Sequence, residues 1–555
     1  MKCTNNKEKI AIEEELIIML NKKTKGITLV ALVITIVILI ILAGISISAL
    51  SNTGIFQKAK DAKKASENAE KEEDKLISEY EKEIVKQDAE GIWDGKVNKP
   101  ELMTGMIAIK FTEPTDSTEG KDEKVSDSSK NDWYNYSEKK WANAQTEDGS
   151  MWVWIPRYAY KINKSNQTFD VVFLVGTTDN YYDKDGKLQT AKRQTSETDI
   201  PDATKDYVVH PAFTNESNIG YVNGGWKKEL TGIWVSKFEA GYFDKNLVDA
   251  DKEKYSSSVN YSQTDGYTTA EKNEDARNYL DGIYGSKTTA IKYPTFQGGK
   301  YSMNYINHND AFNISKAIAG DSNNVYGLKS NSTDSHLMKN SEWGAVAYLG
   351  QSKYGLYNKN IRINNVNMGD DSNFVYAMTG YAAKEEDAEN TTNANAIAWN
   401  QSGGELASTT GTIYGIYDMS GGAWERTAAI VNNGNDNLNK YGKAIMNALN
   451  NGKSSEYVTV YLNGETSGQS IDDASKSNYT ANTKIYGDAI HETSTAGLGQ
   501  TSWHDDFSSF AGLYDPFFDR GGACLYTSGA GLFSFYCNAG YSAYDSGLHS
   551  VLVAQ

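Results

Sequence analysis

The sequence predicts an α+β protein in which a long N-terminal helix, spanning a membrane and continuing as a stalk, precedes one large irregular domain. Three observations lead to this prediction. Residues 27–50 form an uncharged apolar run, residues 51–90 repeat apolar side chains with a helical period, and from Met151 onward apolar and aromatic residues nearly alternate, as in β-strands. The chain has 555 residues, enough for an extensive core once the anchor is set aside.

Residues 27–50 are predicted to be a transmembrane helix. The run has about 24 residues, and at roughly 1.5 Å per residue a helix of this length crosses a hydrocarbon core of about 30 Å. Lys22, Lys23 and Lys25 precede it, so its N-terminal side is expected in the cytoplasm. We therefore expect a single-pass protein of the cell membrane or cell surface, with its C-terminal domain outside the cell.

The junction Gly26-Ile27-Thr28-Leu29 resembles the class III signal of type IV pilins, and the resemblance covers only about the first 90 residues. It implies a leader, residues 1–26, that prepilin peptidase removes after Gly26, with N-terminal methylation of Ile27. Pilins normally carry a glutamate five residues into the mature chain that helps register the subunit in a fibre. Ala31 stands there instead, a departure that bears on polymerisation more than on cleavage. A plain single-span anchor is the alternative.

Residues 51–90 are predicted to form an amphipathic stalk helix. Small or apolar residues recur at three- and four-residue steps, at Ile55, Ala59, Ala62, Ala65 and Ala69. The narrow alanine stripe fits packing against another helix as well as a solvated stalk braced by charge pairs. No proline interrupts residues 27–90, so span and stalk together can form a rod of about 90 Å.

Residues 91–148 are predicted to be a linker or transition region. A short strand is expected at 106–111, and a mobile segment at 112–130, where large apolar residues are almost absent. The folded domain is expected to occupy 149–555. Within it, the cluster from Asp183 to Gly186 predicts a hairpin turn, because Lys192 stands where an EF-hand calcium loop needs glutamate.

Composition restricts the partners. The formal charge of −17 argues against nucleic acid or an anionic membrane surface as the main partner. The 36 tyrosines fit either a binding surface or a β-rich domain. Three cysteines occur, and only Cys524 and Cys537 lie beyond the leader, so the exported domain does not depend on a disulfide framework, as in many secreted Gram-positive proteins. Whether these two form a disulfide is left open by their spacing.

Five short motifs occur in order: Trp154-Ile155-Pro156, Gly232 to Ala240, Glu342-Trp343, Gly415 to Glu425, and Arg520-Gly521-Gly522. Together they resemble the formylglycine-generating enzyme family, also known through sulfatase-modifying factors, whose domain is a variant of the C-type lectin fold. The segment YDMSGGAWE within the fourth motif is the most specific. The resemblance spans about residue 150 to the C-terminus and implies one lectin-like domain with polar loop insertions.

The resemblance does not extend to the residues on which the family's chemistry depends. Its enzymes hold copper with two cysteines, whose positions here are Tyr526 and Gly531, so the soft thiolate pair for Cu(I) is absent and no enzyme activity is expected. The family's calcium-binding asparagine is replaced by Gly422, which leaves Glu425 as a weak calcium candidate and no other cofactor expected. The large side chains of the motifs, Trp343 and Trp424, are expected in the core.

The C-terminal segment, residues 519–553, resembles the variable proteins of diversity-generating retroelements, lectin-fold proteins whose last residues are rewritten at adenine-containing codons. Framework-like pieces alternate with patches drawn from Tyr, Ser, Asp, Cys, Ala and Leu, and an ordinary Gly- and Tyr-rich lectin terminus is the alternative. Phe533 and Phe535 are expected to face the core. The resemblance implies ligand contacts from Ala523, Cys524, Tyr526, Ser528, Tyr536, Asn538, Tyr541, Ser542, Tyr544 and Asp545.

Taken together, the sequence predicts a membrane-anchored or pilus-associated adhesin or receptor that binds an extracellular protein, a glycan or a phage ligand. Its expected partners besides the ligand are the membrane, prepilin peptidase and, if it polymerises, other pilins. Two alternatives belong to other functional classes. One is an exported enzyme of the formylglycine-generating superfamily with a non-standard site, and the other is a structural minor pilin with a large head domain.

Overall fold

The computed structural model describes the chain from Val97 onward, with interruptions. The described residues are 97–126, 133–194, 199–215, 225–241, 294–303, 306–320, 325–367, 377–384, 396–526, 529–541, 543 and 545–555. Contacts divide the chain into two units, Met1–Ile84 and Val85–Gln555, and all described residues belong to the second. The predicted leader, transmembrane helix and stalk lie outside the described residues. Within these ranges, no helix is both long and apolar enough to span a bilayer.

The described part of the chain is α+β, with more strands than helices, as the sequence predicts. The strands are, in chain order, β1 Ile107–Phe111, β2 Asp122–Lys124, β3 Asn143–Gln145, β4 Met151–Pro156, β5 Tyr158–Asn163, β6 Thr168–Phe173, β7 Asn180–Tyr182, β8 Leu188–Thr190, β9 Val208–Val209, β10 Gly232–Ser236, β11 Thr333–Leu337, β12 Tyr381–Ala383, β13 Ala396–Ala398, β14 Trp424–Val431, β15 Thr459–Tyr461, β16 Leu498–Gln500, β17 Phe507–Ser509, β18 Phe517–Arg520, β19 Phe535–Asn538, β20 Ser546–Leu548 and β21 Ser550–Ala554. The α-helices are α1 His308–Gly320, α2 Asn340–Gly350, α3 Asp436–Tyr441, α4 Lys443–Asn447 and α5 Ile471–Ala481.

The first of two large sheets is antiparallel throughout, in the order β11-β21-β10-β4-β3-β1-β2. Its strand β4 is buried along its whole length. Trp154 of β4 lies opposite Trp234 of β10, and their ring centroids are 5.3 Å apart, a contact worth about 1 kcal/mol beyond simple burial. The strand β21, near the C-terminus, lies between β10 and β11, so the end of the chain is part of the core.

The second sheet holds most of the C-terminal segment, in the order β15-β14-β18-β19-β17-β16. Its longest strand, β14, is buried throughout. One edge of β14 pairs in parallel with β20 near Trp424 and with β15 near Val431, while the other edge pairs antiparallel with β18. The ends of the candidate binding segment are therefore fixed by backbone hydrogen bonds to a buried strand.

The prediction of a linker is wrong for the described part of residues 91–148, which belongs to the folded domain. Strand β1 pairs with β2 and with β3, which places all three in the first sheet. Trp133 and Trp141 are buried in the core. The expected mobile segment at 112–130 contains β2, whose three charged side chains are exposed and therefore give no apolar pattern to detect. Residues 127–132 lie outside the described residues.

Several local predictions are confirmed. The strand predicted near residues 106–111 is β1, and β7 and β8 form a hairpin with Tyr182 opposite Leu188 and Gly186 at a φ of +72°. In its turn, the Asp183 carboxylate accepts hydrogen bonds from the backbone amides of Asp185 and Lys187. The remaining predicted core residues are buried: Trp343, Trp424, Phe533 and Phe535.

Candidate ligand-binding surface

Strand β19 presents Tyr536 to solvent by the simple alternation of a β-strand. Phe535 and Cys537 point inward, whereas Tyr536 is 38% exposed. The strand is fixed on its β18 side, where Tyr536 lies opposite Asp519. The position of the Tyr536 ring is consequently set by a paired strand rather than by a free loop.

Tyr526 and Tyr536 lie against Trp424, the first residue of β14. The Tyr536 ring stacks on the Trp424 indole with centroids 5.2 Å apart, and the Tyr526 ring meets it edge-on at 5.7 Å. Trp424 is only 5% exposed, while Tyr526 is 48% exposed. We call these three side chains the tyrosine platform. It combines exposed aromatic area with a buried, rigid support, which is the arrangement that binding surfaces use.

Backbone contacts fix Trp424 beneath the two tyrosines. Its amide donates to the carbonyl oxygen of Asp545 at 2.6 Å, and it pairs with Ser546 of β20. The preceding residue, Ala423, donates its amide to the Glu239 carboxylate at 2.9 Å. Residues remote in sequence therefore hold the indole in place beneath Tyr526 and Tyr536.

A buried ion pair supports the neighbouring part of the segment. Arg426 of β14 donates to both carboxylate oxygens of Asp519 through Nη1, at 2.8 and 3.1 Å, and to the carbonyl oxygen of Tyr541 through Nη2 at 2.6 Å. The Asn538 amide nitrogen also donates to Asp519, at 2.8 Å. Burial raises the pKa of Asp519 to about 7, although Arg426 and these hydrogen bonds oppose the shift.

The structure separates the predicted ligand contacts into groups. Tyr526 and Tyr536 are exposed, and Tyr541 and Asp545 are half-buried beside them. Asn538 is half-buried as well, but its side chain is engaged at both ends, with Asp519 and with the amide of Gly540. The Tyr541 ring contacts Tyr441 with centroids 6.2 Å apart.

Ala523 and Cys524 require a correction. Both side chains are fully buried, so neither is presented to a ligand. Cys524 packs against Ala377 beneath the surface. Ser528, Ser542 and Tyr544 lie outside the described residues.

The two cysteines of the domain are not joined. Cys524 and Cys537 are both buried free thiols. Burial raises the pKa of Cys524 strongly and that of Cys537 to about 12, so neither is a thiolate at neutral pH. The Cys537 thiol instead lies 3.3 Å from the Ser509 hydroxyl.

A cluster of buried acids that sequence reasoning missed lies behind the platform. Glu239 follows β10, Asp418 belongs to the YDMSGG turn, and Glu425 is in β14, with His549 beside them. The His549 Nδ1 atom lies 3.2 Å from a Glu425 oxygen. Burial and mutual repulsion raise the pKa of Glu239 and Glu425 well above normal, and burial raises that of Asp418 to about 6. We expect these carboxyl groups to share protons.

The position of Glu425 does not favour the weak calcium site. Gly422 supplies no side-chain oxygen, and a Cβ added there would lie 2.9 Å from a Glu239 oxygen, so the Glu239 side chain occupies that space. The histidine beside Glu425 is also a nitrogen donor, whereas calcium prefers oxygen. Within the part of the chain that the structure describes, no three or more His, Cys, Asp or Glu side chains are arranged to hold a metal ion.

The signal for the acid cluster was weak in the sequence. Glu239 comes shortly after the apolar run GIWVS, and a charged residue next to a buried strand is expected to need a buried partner. Its neighbours Asp418 and Glu425 are nearly 200 positions further along the chain, so the sequence does not show that they meet. Comparison with protein-family models finds no matching family, and comparison with curated proteins finds no matching relative.

Proposed function

We propose that this protein is a surface-displayed ligand-binding protein, an adhesin or receptor, and that the tyrosine platform is the centre of its binding site. The observation that carries the proposal is the exposure of Tyr526 and Tyr536 on the buried indole of Trp424. Aromatic side chains dominate binding energy at protein surfaces when a rigid support keeps them in place. Here strands β14 and β19, which both pair with β18, supply that support.

The preformed backbone favours recognition by side-chain identity. Tyr526, Tyr536 and Tyr541 project from a segment whose flanking strands are paired, so exchanging them changes the surface without refolding a loop. A fixed scaffold reduces the entropy lost on binding. This supports the proposal that the segment is a variable region of the retroelement type, carried on a C-type-lectin-like fold, and that codons for Tyr526, Tyr536 and Tyr541 are rewritten.

The proposed location follows from the N-terminal sequence. The pilin-like junction at Gly26 and the apolar run at 27–50 support a membrane-anchored or pilus-associated chain whose domain faces outward. Display of many copies on one cell would let a modest affinity suffice, since linked contacts multiply. The partners we propose besides the ligand are the membrane, prepilin peptidase and, in a fibre, other pilins.

The two alternatives receive less support. For an enzyme of the formylglycine-generating type, the reactive thiols would have to be exposed thiolates, whereas Cys524 is fully buried with a strongly raised pKa. For a structural pilin head, an exposed and rigidly supported aromatic surface has no evident purpose. We therefore propose that the protein is not an enzyme and needs no resident cofactor.

The test uses the full chain in detergent micelles, immobilised and screened against a random peptide display library and a glycan array. Ligands recovered by the screens are titrated against a double variant, Tyr526→Ser with Tyr536→Ser, and against a control, Tyr182→Ser. Tyr182 is a matched control because it is also 38% exposed but lies on the separate β7–β8 hairpin.

We expect saturable binding that the double variant weakens about 100-fold or more, in line with the loss of two aromatic contacts, and that the control leaves unchanged. Unchanged thermal unfolding of each variant verifies the fold. Binding that both variants retain equally, or the absence of any saturable ligand, would contradict the proposal.

A further inference from the structure

From the charges that surround the tyrosine platform we infer that it recognises a cationic group, the arginine or lysine side chain of a protein ligand. The inference rests on the proposed function and specifies the ligand chemistry of the same site. It follows from the aromatic faces, the nearby carboxylates and the burial of the two neighbouring arginines, Arg426 and Arg520.

The C-terminal part of the chain has a one-sided charge composition. Between Phe507 and Gln555 the sequence contains three aspartates, Asp515, Asp519 and Asp545, but no glutamate and no lysine. Its only permanently basic residue is Arg520, and this side chain is fully buried, where it donates to the carbonyl oxygens of Asp488 and Ala489. The charges that this segment presents to a ligand are therefore negative.

Asp545 and Asp515 are the two carboxylates nearest to solvent in this region. Both are half-buried. After the larger effect of burial, the Asp545 charge raises the pKa of Tyr526, and the Asp515 charge raises that of Tyr536. At Tyr541 both aspartates act in the same direction, but the Arg426 charge opposes them. The negative potential thus reaches the two tyrosine rings of the platform, Tyr526 and Tyr536.

The guanidinium of Arg426 opposes the aspartates at Tyr541, but it is not presented to solvent beside Tyr526 and Tyr536. It is fully buried, and its donors are directed to the Asp519 carboxylate and to the carbonyl oxygens of Tyr541 and Ile306. Both arginines of this region, Arg426 and Arg520, are fully buried. The exposed faces of Tyr526 and Tyr536 therefore have no exposed cation of the segment to occupy them.

Aromatic faces bordered by carboxylates are a chemical match for an ammonium or guanidinium group. A cation over a tyrosine or tryptophan face is attracted by the negative face of the ring quadrupole. Neighbouring carboxylates add attraction and speed the encounter. An apolar or acidic ligand would gain nothing from the aspartates, and an acidic one would be repelled.

The experiment titrates the full chain in neutral detergent with four synthetic peptides of equal length. Glycine alternates with arginine, lysine, glutamine or glutamate. We expect saturable binding of the arginine and lysine peptides, at least about 10-fold weaker binding of the glutamine peptide, and no binding of the glutamate peptide. The double variant Tyr526→Ser with Tyr536→Ser should abolish the difference between basic and neutral peptides.

Charge variants separate local recognition from attraction to the net negative protein. Asp545→Asn and Asp515→Asn keep the side-chain shape and should each weaken the arginine peptide about 2- to 5-fold. Asp185→Asn removes the same charge from the exposed turn of the β7–β8 hairpin and should have no effect. Basic-peptide binding that is equal in all three variants, or that survives loss of the tyrosines, would overturn the inference.

The two proposals can fail separately. If the screens return neutral or acidic ligands that need Tyr526 and Tyr536, the binding function stands and the cationic specificity is wrong. If neither the screens nor the peptides give saturable binding, both are wrong.

Discussion

The buried ion pair between Arg426 and Asp519 provides the sharpest test of how the candidate binding segment is supported. Replacing Arg426 by Met leaves the Asp519 carboxylate fully buried without its cation and removes donors from the carbonyl oxygens of Tyr541 and Ile306. Breaking a buried pair from one side typically costs about 3 to 5 kcal/mol in the free energy of unfolding. We expect a loss in that range at pH 8.

The loss of unfolding free energy caused by Arg426→Met should be smaller at acidic pH. The folded-state pKa of Asp519 is raised to about 7, so this carboxyl lowers stability progressively as pH rises from its unfolded value near 4 towards 7. Without Arg426 its pKa rises further, and the penalty extends to higher pH. At pH 5 the carboxyl is protonated in both proteins, so the difference between them falls to the lost hydrogen bonds, about 1 to 3 kcal/mol.

The measurement is urea unfolding of the full chain at pH 5 and pH 8, followed by tryptophan fluorescence. The matched control is Lys192→Met, which breaks an ion pair of similar length, 2.7 Å to Asp206, whose partners are 61% and 36% exposed. It should cost less than about 1 kcal/mol. A double variant, Arg426→Met with Asp519→Leu, should recover much of the loss. Equal effects of Arg426→Met and the control, or no dependence on pH, would refute the reasoning.

Three further predictions concern other parts of the domain. Gly422→Asn should lower the free energy of unfolding by about 2 kcal/mol more than Gly434→Asn, because both glycines have φ near +75° but only Gly422 would place a Cβ against the Glu239 carboxylate, and equal melting temperatures would contradict this. In a chain carrying Cys3→Ser, a thiol reagent should label no cysteine until the protein unfolds, since Cys524 and Cys537 are buried free thiols, and rapid native labelling would be inconsistent with their burial. Burial opposes protonation of His336, but Glu342 and Asp334 outweigh it and raise its pKa, so its contribution to stability should be complete below about pH 6.5 and decline as pH rises through the raised value. Unfolding curves of His336→Gln should lose that pH dependence, and a variant with the unchanged pH profile would exclude this role.

Local signals in the sequence predicted local structure well. The turn chemistry of Asp183 to Gly186 predicted the β7–β8 hairpin, and the large apolar side chains of Trp343 and Trp424 predicted burial. In these cases the residues that determine the local structure lie within the same short stretch of chain. The α+β class followed from such stretches taken together.

What the sequence could not predict depends on contacts between distant residues. Strand β2 has only exposed charged side chains, and its pairing with β1 is visible only in three dimensions. In the candidate binding segment, Cys524 and Tyr526 come from the same run of small and aromatic residues, yet the turn there buries Cys524 and exposes Tyr526. Patterns of residue type identify such a segment, but the neighbours that fold against it decide which side chains reach solvent.

The position of β21 has a consequence for synthesis of the protein. Among the described strands, β21 lies between β11 and β10 and joins β11 to the first sheet. In the chain, β21 follows the tyrosine-bearing segment. The first sheet can close only after the ribosome has translated through that segment and beyond it. We therefore expect a chain that ends or shifts frame within that segment to lack β21 and to leave the first sheet incomplete. Only molecules with an intact reading frame through the tyrosine-bearing segment would complete this sheet.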